Sequence, residues 1–306
     1  MSSPVRLLLV SGSPGVDTGA LGRAAVAEAR AGGHAAVLVA MGEPSVADAY
    51  GSLWSDLAAG VGSVLRDLGL GGIDADRLGW LPGIADLACA VAACEAAAVP
   101  EALVVWDVGT GDQALRTLSS LTAAAVLLEQ VLTPQTSART RQAGTGSVDA
   151  IVGLQDRILA AEAVLAESAV SWVVASTPGA TTAARRTAAG LGLWQVPVDL
   201  IVQEGPELDQ LPRDIPRERV PMHWVDGSEP DGYRLCIRLP HAQRDGLRVG
   251  RAGTSLVLAH AQIRRHLPLP PALQRCLVDG ASLEDGLLVV RMQPDPAAWR
   301  GGDRRA

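Results

Sequence analysis

The 306-residue sequence contains no lysine, asparagine or phenylalanine, and all 26 of its basic residues are arginines. Without lysine the chain cannot form a Schiff base, and it lacks the side chain that reaches the terminal phosphates in a phosphate-binding loop. Only four cysteines occur, and neither they nor the five histidines have the spacing of a metal site. No run of about 18 apolar residues is present, so the sequence predicts no stable membrane insertion.

Positive charge is also scarce. The formal net charge is -7 and the sequence pI is about 5.3, which argues against a nucleic-acid-binding surface. Hydrophobic residues make up 48% of the chain and charged residues 19%, so we expect a globular protein. The first residues lead into an apolar run without the pattern of a signal peptide, and we therefore expect a cytoplasmic protein.

A glycine-rich loop connects a predicted strand to a predicted helix near the N-terminus. The apolar run covers residues 5–10, the loop covers residues 11–19, and alanine-rich helical spacing covers residues 20–31. Backbone N–H groups of such a loop and of the following helix start bind phosphate groups. The loop therefore has the shape of a phosphate site but lacks its lysine and its magnesium-binding hydroxyl.

Strands alternate with helices over the first two thirds of the chain. This alternation predicts a doubly wound, mostly parallel α/β sheet over residues 1–204. Further strands are predicted at 35–40, 102–106, 170–176 and 198–202, a glycine turn at 108–113, and helices at 53–68, 84–97, 115–132, 148–167 and 181–191.

The pattern changes after residue 204. A proline-rich segment, residues 205–232, is interpreted as a linker. Short alternating runs follow, at 233–239, 254–260, 263–269 and 287–292, with turn signals at Gly250, Gly253, Asp279-Gly280 and Asp285-Gly286. Residues 233–300 are therefore predicted to form a small all-β sandwich, followed by a tail at 301–306.

Several segments resemble the arsenical-pump (ArsA-like) ATPase family, which includes the tail-anchored-protein-targeting ATPases. GSPGVDTGAL (12–21) resembles the deviant Walker A loop, VLVAMGEPSVADAYG (37–51) the switch I segment, VVWDVGTGDQALRTL (104–118) the switch II segment, and residues 172–202 a late strand-helix-strand unit. LPLPPALQRCLVDGASLEDGLLVVRMQPDPAAW resembles the small-heat-shock-like β-sandwich of actinobacterial members. The resemblance implies a P-loop NTPase-like fold and a dimer that binds Mg-ATP at its interface.

The same resemblance implies that the catalytic residues are missing. The signature lysine of the family falls on Ser13, its P-loop lysine on Thr18, and its magnesium-binding hydroxyl on Gly19. Its switch I aspartate falls on Met41, and its adenine-contacting asparagine on Gln203 or Glu204. What remains of the family's residues is Gly12, Gly15 and Asp107. The implied remnant site consists of Gly12, Ser13, Gly15, Thr18, Gly19 and Asp107, with no catalytic residue and no metal ligand set.

Two aspartates near this loop each allow two interpretations. Asp17 would either stand among nucleotide phosphates, where like charges repel, or cap the following helix, and the capping role is favoured. Asp107 would either bind a metal ion through water or simply end its strand, and the strand-end role is favoured.

Arginine binds phosphate well and can replace the missing lysines as a phosphate contact. Arg116 is the preferred candidate, because it follows the switch-like turn. Arg23 is expected to point away from the start of its helix. The pair Arg185-Arg186 is a further candidate, and for all four residues a solvated surface role is the simpler interpretation.

Three functions remain open at this point. The first is an interaction or regulatory protein, a pseudo-ATPase without cofactor, which forms a homodimer or a heterodimer with a paralogous ATPase. The second is a weak ATPase that uses arginine in place of the P-loop lysine and binds Mg-ATP. The third assigns function to the β-sandwich, as a module that binds a protein partner. The missing residues favour a protein that is not an enzyme.

Overall fold

A computed structural model describes residues 7–40, 46–48, 51–53, 55, 83–98, 102–131, 145–166, 170–177, 179–194, 196, 198, 200–203, 222–227, 232–260 and 263–296. Outside these residues lie Met41, Glu204, the predicted tail 301–306, and most of the predicted helix 53–68 and of the predicted linker 205–232.

The N-terminal part of the chain contains a five-stranded parallel sheet. Its strands are β1 (Leu7–Gly12), β2 (Ala35–Val39), β3 (Ala102–Thr110), β4 (Val170–Ser176) and β5 (Leu200–Gln203). They lie in the order β2-β3-β1-β4-β5. The central strand β1 is buried along its whole length, which explains its unbroken apolar sequence. The expected parallel α/β sheet is confirmed.

Helices cover both faces of this sheet. They are α1 (Thr18–Ala31), α2 (Ile84–Ala97), α3 (Gly111–Val131), α4 (Thr145–Ala166) and α5 (Thr181–Gly192). Leu8 and Val10 of β1 pack toward α1, whereas Leu7 and Leu9 belong to the larger core shared with α2 to α5. Alternate residues of one strand thus serve two cores. None of the helices in the described ranges is long and apolar enough to cross a membrane.

The predicted glycine turn at 108–113 is wrong. Strand β3 continues to Thr110, and α3 begins at Gly111. Gly109 has a φ of 79°, and the pairing with β1 skips one residue there, so that Val10 faces Asp107 and Ser11 faces Gly109. The glycine therefore forms a bulge inside the strand instead of ending it.

Two antiparallel sheets form the C-terminal part. The strands are β6 (His223–Asp226), β7 (Tyr233–Arg238), β8 (Leu247–Ala252), β9 (Ser255–His260), β10 (Ile263–Pro268), β11 (Cys276–Glu284) and β12 (Leu287–Pro294). One sheet has the order β10-β9-β8 and the other β11-β12-β7-β6. Residues of both sheets, including Ile237, Leu258 and Val290, bury one common core.

Sequence reasoning missed three of these strands. Strand β6 lies inside the segment interpreted as a linker and pairs with β7. Gly250 and Asp279-Gly280, which the sequence predicts to be turns, lie within β8 and β11. In β11 a register shift after Val278 marks a bulge. The turn signals at Gly253 and Asp285-Gly286 are confirmed as two-residue hairpins with positive φ at Gly253, Asp285 and Gly286.

The sandwich packs directly against α5 and α3. Leu193, just after α5, is part of the sandwich core. A β-carbon on Gly190 would lie 2.7 Å from Ile263 Cδ1 and 3.0 Å from Leu115 Cδ2, so glycine permits this close approach. Arg265 of β10 donates a hydrogen bond to Thr122 of α3 and lies 5.8 Å from the ring centre of Trp194.

Candidate functional site

The glycine loop, residues 12–17, lies where β1 ends, beside the end of β4. Ser13 is buried, and its amide donates a hydrogen bond to the carbonyl of Ala175 at 2.9 Å. Its hydroxyl accepts one from the amide of Thr177 at 3.3 Å. The residue that falls on the family's signature lysine therefore joins two strand ends within the chain.

Other amides of the loop also bond inside the chain. The amide of Val16 donates to the carbonyl of Ser13, and the amide of Thr18 donates to the carbonyl of Val16, both at 3.1 Å. The Ala20 amide, in the first turn of α1, donates to Asp17 Oδ1 at 2.8 Å. An anion cradle needs such amides to point at the ligand, whereas these amides are already paired.

The loop folds closely over its own first glycine. A β-carbon on Gly12 would stand 2.8 Å from Thr18 Cγ2 and 3.0 Å from Val16 Cβ. Gly15, in contrast, has an open environment and a φ of 94°, which favours glycine for conformational reasons. Gly12 and Gly15 thus have roles in forming the loop itself.

Asp17 caps α1, as the sequence predicts. Its side chain accepts the hydrogen bond from Ala20, and it lies at the helix start, where a nucleotide phosphate would have to bind. A second carboxylate faces the same point: Asp17 Oδ1 and Asp107 Oδ2 lie 3.3 Å and 3.5 Å from the position of a Gly19 β-carbon.

Asp107 also shapes the bulge in β3. Its Oδ1 accepts a hydrogen bond from the Gly109 amide at 2.9 Å, which stabilises the bulge. Asp107 thus lies inside β3 and has a structural role there, and the expectation that it ends the strand is wrong. In the described part of the chain, no three His, Cys, Asp or Glu side chains come together as a possible metal site.

Arg23 does not point away from the helix start, so that expectation is wrong. Its Nη2 lies 3.9 Å from Asp17 Oδ2, and its Nη1 lies 3.2 Å from the position of a Gly19 β-carbon. Helical side chains tilt toward the N-terminus, which lets a long arginine reach back over one turn and more. Sequence spacing alone missed this contact.

Arg116 is exposed on α3, and its charge acts on Asp86 of α2. Burial raises the pKa of Asp86, and Arg116 partly opposes that shift. Gln203 is the last residue of β5, and Glu204 lies outside the described residues. The structure thus brings together the loop residues, Asp107 and Arg23, whereas the recorded interaction of Arg116 is with α2.

The buried cysteines of this core are poor nucleophiles. Trp106 Nε1 donates a hydrogen bond to Cys89 Sγ at 3.1 Å, and both side chains are buried. Burial raises the pKa of Cys89 to about 11 and that of Cys94 to about 12, so both remain protonated thiols at neutral pH.

Comparison with known proteins adds information mainly on the C-terminal sandwich. Residues 230–292 match the model of the HSP20-like domain found in ArsA. An uncharacterised protein of Streptomyces coelicolor is 29% identical over 323 aligned residues, which cover 85% of this chain and 83% of that protein. A protein of Mycobacterium tuberculosis is 39% identical over 67 residues, 22% of this chain and 16% of its own length.

These matches agree with the structure in one respect. The matched segment contains strands β7 to β11 and most of β12, which together form the greater part of the two antiparallel sheets. An ArsA-related domain is therefore present, and the chain has an actinobacterial relative that aligns over most of both sequences.

Proposed function

We propose that this chain is an ArsA-related pseudo-ATPase, a protein that keeps a P-loop-like α/β fold and acts through protein contacts without hydrolysing ATP. The observation that carries the proposal is that the start of α1 is capped by a side chain of the protein itself. Asp17 satisfies the first turn of α1 with its own carboxylate, which places a negative charge where a nucleotide phosphate would bind. Even at the dielectric constant of water, two unit charges 4 Å apart repel by about 1 kcal/mol.

The test is a calorimetric titration of the full chain with Mg-ATP and with Mg-ADP. We expect no binding heat and no shift in melting temperature at millimolar nucleotide. A nucleotide at about 100 times its dissociation constant would stabilise the fold by about 2.7 kcal/mol, which is readily measured as a melting shift. Tight binding, or magnesium-dependent turnover, would refute the proposal.

Substitutions of Asp17 separate charge from loop shape. Asp17→Asn keeps a good capping residue and removes the charge, whereas Asp17→Gly also removes the side chain. If the negative charge alone excludes nucleotide, both variants gain Mg-ATP binding. If neither gains it, the closely folded loop around Gly12 is what closes the site.

A weak ATPase is the second candidate, and one contact favours it. Arg23 lies at the start of α1, with Nη2 3.9 Å from Asp17 Oδ2. If this candidate is right, wild-type protein turns over ATP slowly, and Arg23→Gln abolishes that turnover. Arg30→Gln on the same helix serves as the matched control, because its guanidinium instead donates to the carbonyl of Ala36.

The proposed partner is a second copy of the chain or a paralogous ATPase, with the contact made in the cytoplasm. Apolar side chains on the outer face of α3 support a protein contact, since Val126 and Leu127 are 50% and 64% exposed. Sedimentation velocity of the pure chain distinguishes the two partners. A dimer supports self-association, and a monomer directs the search to a paralogue. Replacing Leu127 with Gln should weaken either contact.

A further inference from the structure

A cleft of about 210 Å³ lies between α5 and the β-sandwich, and its lining contains no residue of the glycine loop. Its walls come from α5, from the segment that joins β7 to β8, and from the end of β9. Arg185 and Arg186 line it from the helix, and His241 and His260 line it from the sandwich. Four basic side chains from three separate segments thus share one concave surface.

The positive charge of this cleft is only partly balanced. Asp245 is the acidic residue in its lining. None of the ion pairs recorded between described residues involves Arg185 or Arg186. Both arginines are exposed, so a ligand can reach them without rearrangement of the core.

The helix start adds to this charge. Thr182, in the first turn of α5, also lines the cleft. The N-cap Ala180 makes no side-chain hydrogen bond to the helix, and the first turn contains no acidic residue. The partial positive charge of the helix N-terminus is therefore not compensated by the helix's own cap, in contrast to α1 and Asp17.

Burial and the two arginines together lower the pKa values of the histidines in the cleft. Burial and then Arg186 lower the pKa of His260, and burial lowers the pKa of His241, with Arg185 adding to the effect. His260 is buried, and its Nδ1 has no hydrogen-bond partner among the described residues. His241 donates a hydrogen bond to the Val198 backbone. This bond fixes the His241 ring at the junction of the α/β part and the β-sandwich.

We propose that this cleft binds the phosphate group of a small molecule. Two neighbouring guanidinium groups, a helix start and two imidazoles are the donors that a phosphate dianion requires. The volume admits a phosphate with a short organic group, not a nucleotide triphosphate chain with its base. A bound ligand would join α5 to the sandwich, and this proposal stands whether or not the glycine loop binds nucleotide.

The first experiment measures inorganic phosphate and sulfate binding to the full chain by calorimetry at pH 7. We expect submillimolar to millimolar dissociation constants for both anions. The double variant Arg185→Gln/Arg186→Gln should weaken binding by about tenfold or more, as expected for lost charge-assisted hydrogen bonds. The control Arg264→Gln/Arg275→Gln removes the same charge from exposed positions that are not part of the cleft.

The loss of anion binding in the two double variants is compared to test the proposal. An equal loss in both double variants would show a general charge effect and would overturn it. No binding to wild type, or binding that Arg185→Gln/Arg186→Gln leaves unchanged, would overturn it as well. Asp17→Asn should leave anion binding unchanged, which separates this cleft from the glycine loop. Glycerol 3-phosphate, titrated in parallel, identifies a small phosphomonoester as the source if it binds more tightly than inorganic phosphate.

Sulfate affinity as a function of pH gives an independent readout, because sulfate remains a dianion between pH 6 and pH 8. The groups facing the anion are Arg185, Arg186, Asp245, His241 and His260. Only the histidines titrate in this range, and a bound anion favours their protonated form. Affinity should therefore rise as the pH falls, and the rise should shrink in His260→Gln. A pH-independent affinity would exclude the histidines from the site.

Discussion

Replacing glycine with alanine at two helix positions, Gly153 and Gly190, tests how the sandwich packs on the α/β part. A β-carbon on Gly153, in α4, would have no neighbour within 4 Å, whereas one on Gly190 would meet Ile263 and Leu115 at 2.7 Å and 3.0 Å. Alanine stabilises a helix interior relative to glycine by about 0.5–1 kcal/mol. At Gly190 this gain is opposed by overpacking, which costs about 1–3 kcal/mol.

We therefore expect opposite signs for the same change. Gly153→Ala should raise the free energy of unfolding by about 0.5–1 kcal/mol, and Gly190→Ala should lower it by about 1 kcal/mol. Ile263→Val removes Cδ1, the atom that clashes, and alone should cost about 0.5–1.5 kcal/mol. In the double variant Gly190→Ala/Ile263→Val the clash is relieved. Its loss of unfolding free energy should therefore be about 1 kcal/mol smaller than the sum of the two single losses.

Urea denaturation followed by tryptophan fluorescence, with calorimetry as a second probe, measures all four variants. If Gly190→Ala stabilises the chain as Gly153→Ala does, β10 does not pack on α5 in solution, and the cleft between α5 and the sandwich loses its basis. If the effects of Gly190→Ala and Ile263→Val simply add, the crowding at this glycine comes from Leu115 instead.

Three further predictions concern caps, protonation and thiols. Asp17→Ala should lower the free energy of unfolding by about 1 kcal/mol while Asp17→Asn changes it little, as compared in thermal melts. The pKa values of His241 and His260 are lowered in the folded state, so the unfolded chain binds protons first as the pH falls. The free energy of unfolding should therefore decrease as the pH is lowered past about 6.5. His260→Gln should make this decrease smaller, as measured by the urea midpoint at each pH. Iodoacetamide at pH 8 should label none of the four buried cysteines in native protein and all of them in denaturant, as counted by mass spectrometry.

The sequence predicted those parts of the site that depend on local patterns. A capping aspartate before an alanine-rich helix is recognisable because the hydrogen bond spans only three residues. The helix at 84–97 agrees with Ile84–Ala97 at both ends, since its apolar, alanine-rich pattern continues between a glycine and a proline-containing segment. These features need no knowledge of distant contacts.

Features that depend on the third dimension were missed. Gly109 looks like a turn residue, but hydrogen bonding to β1 lets β3 continue through it as a bulge. Arg23 reaches back to Asp17 because of the tilt of helical side chains, which residue spacing does not express. Arg185 and His260 are 75 positions apart in the sequence, so no local pattern could indicate that they line the same cleft.

The two candidate anion sites also change how a nucleotide titration must be interpreted. At the start of α1 two carboxylates and one arginine meet, whereas at the start of α5 two arginines and two histidines face one carboxylate. The cleft at α5 is too small to enclose a whole nucleotide, but a phosphate of Mg-ATP that enters it alone would also give binding heat. If it does, Arg185→Gln/Arg186→Gln abolishes the heat and Arg23→Gln does not. If the glycine loop binds the nucleotide instead, the two variants give the opposite result, and the pseudo-ATPase proposal fails while the phosphate cleft can still be tested with sulfate.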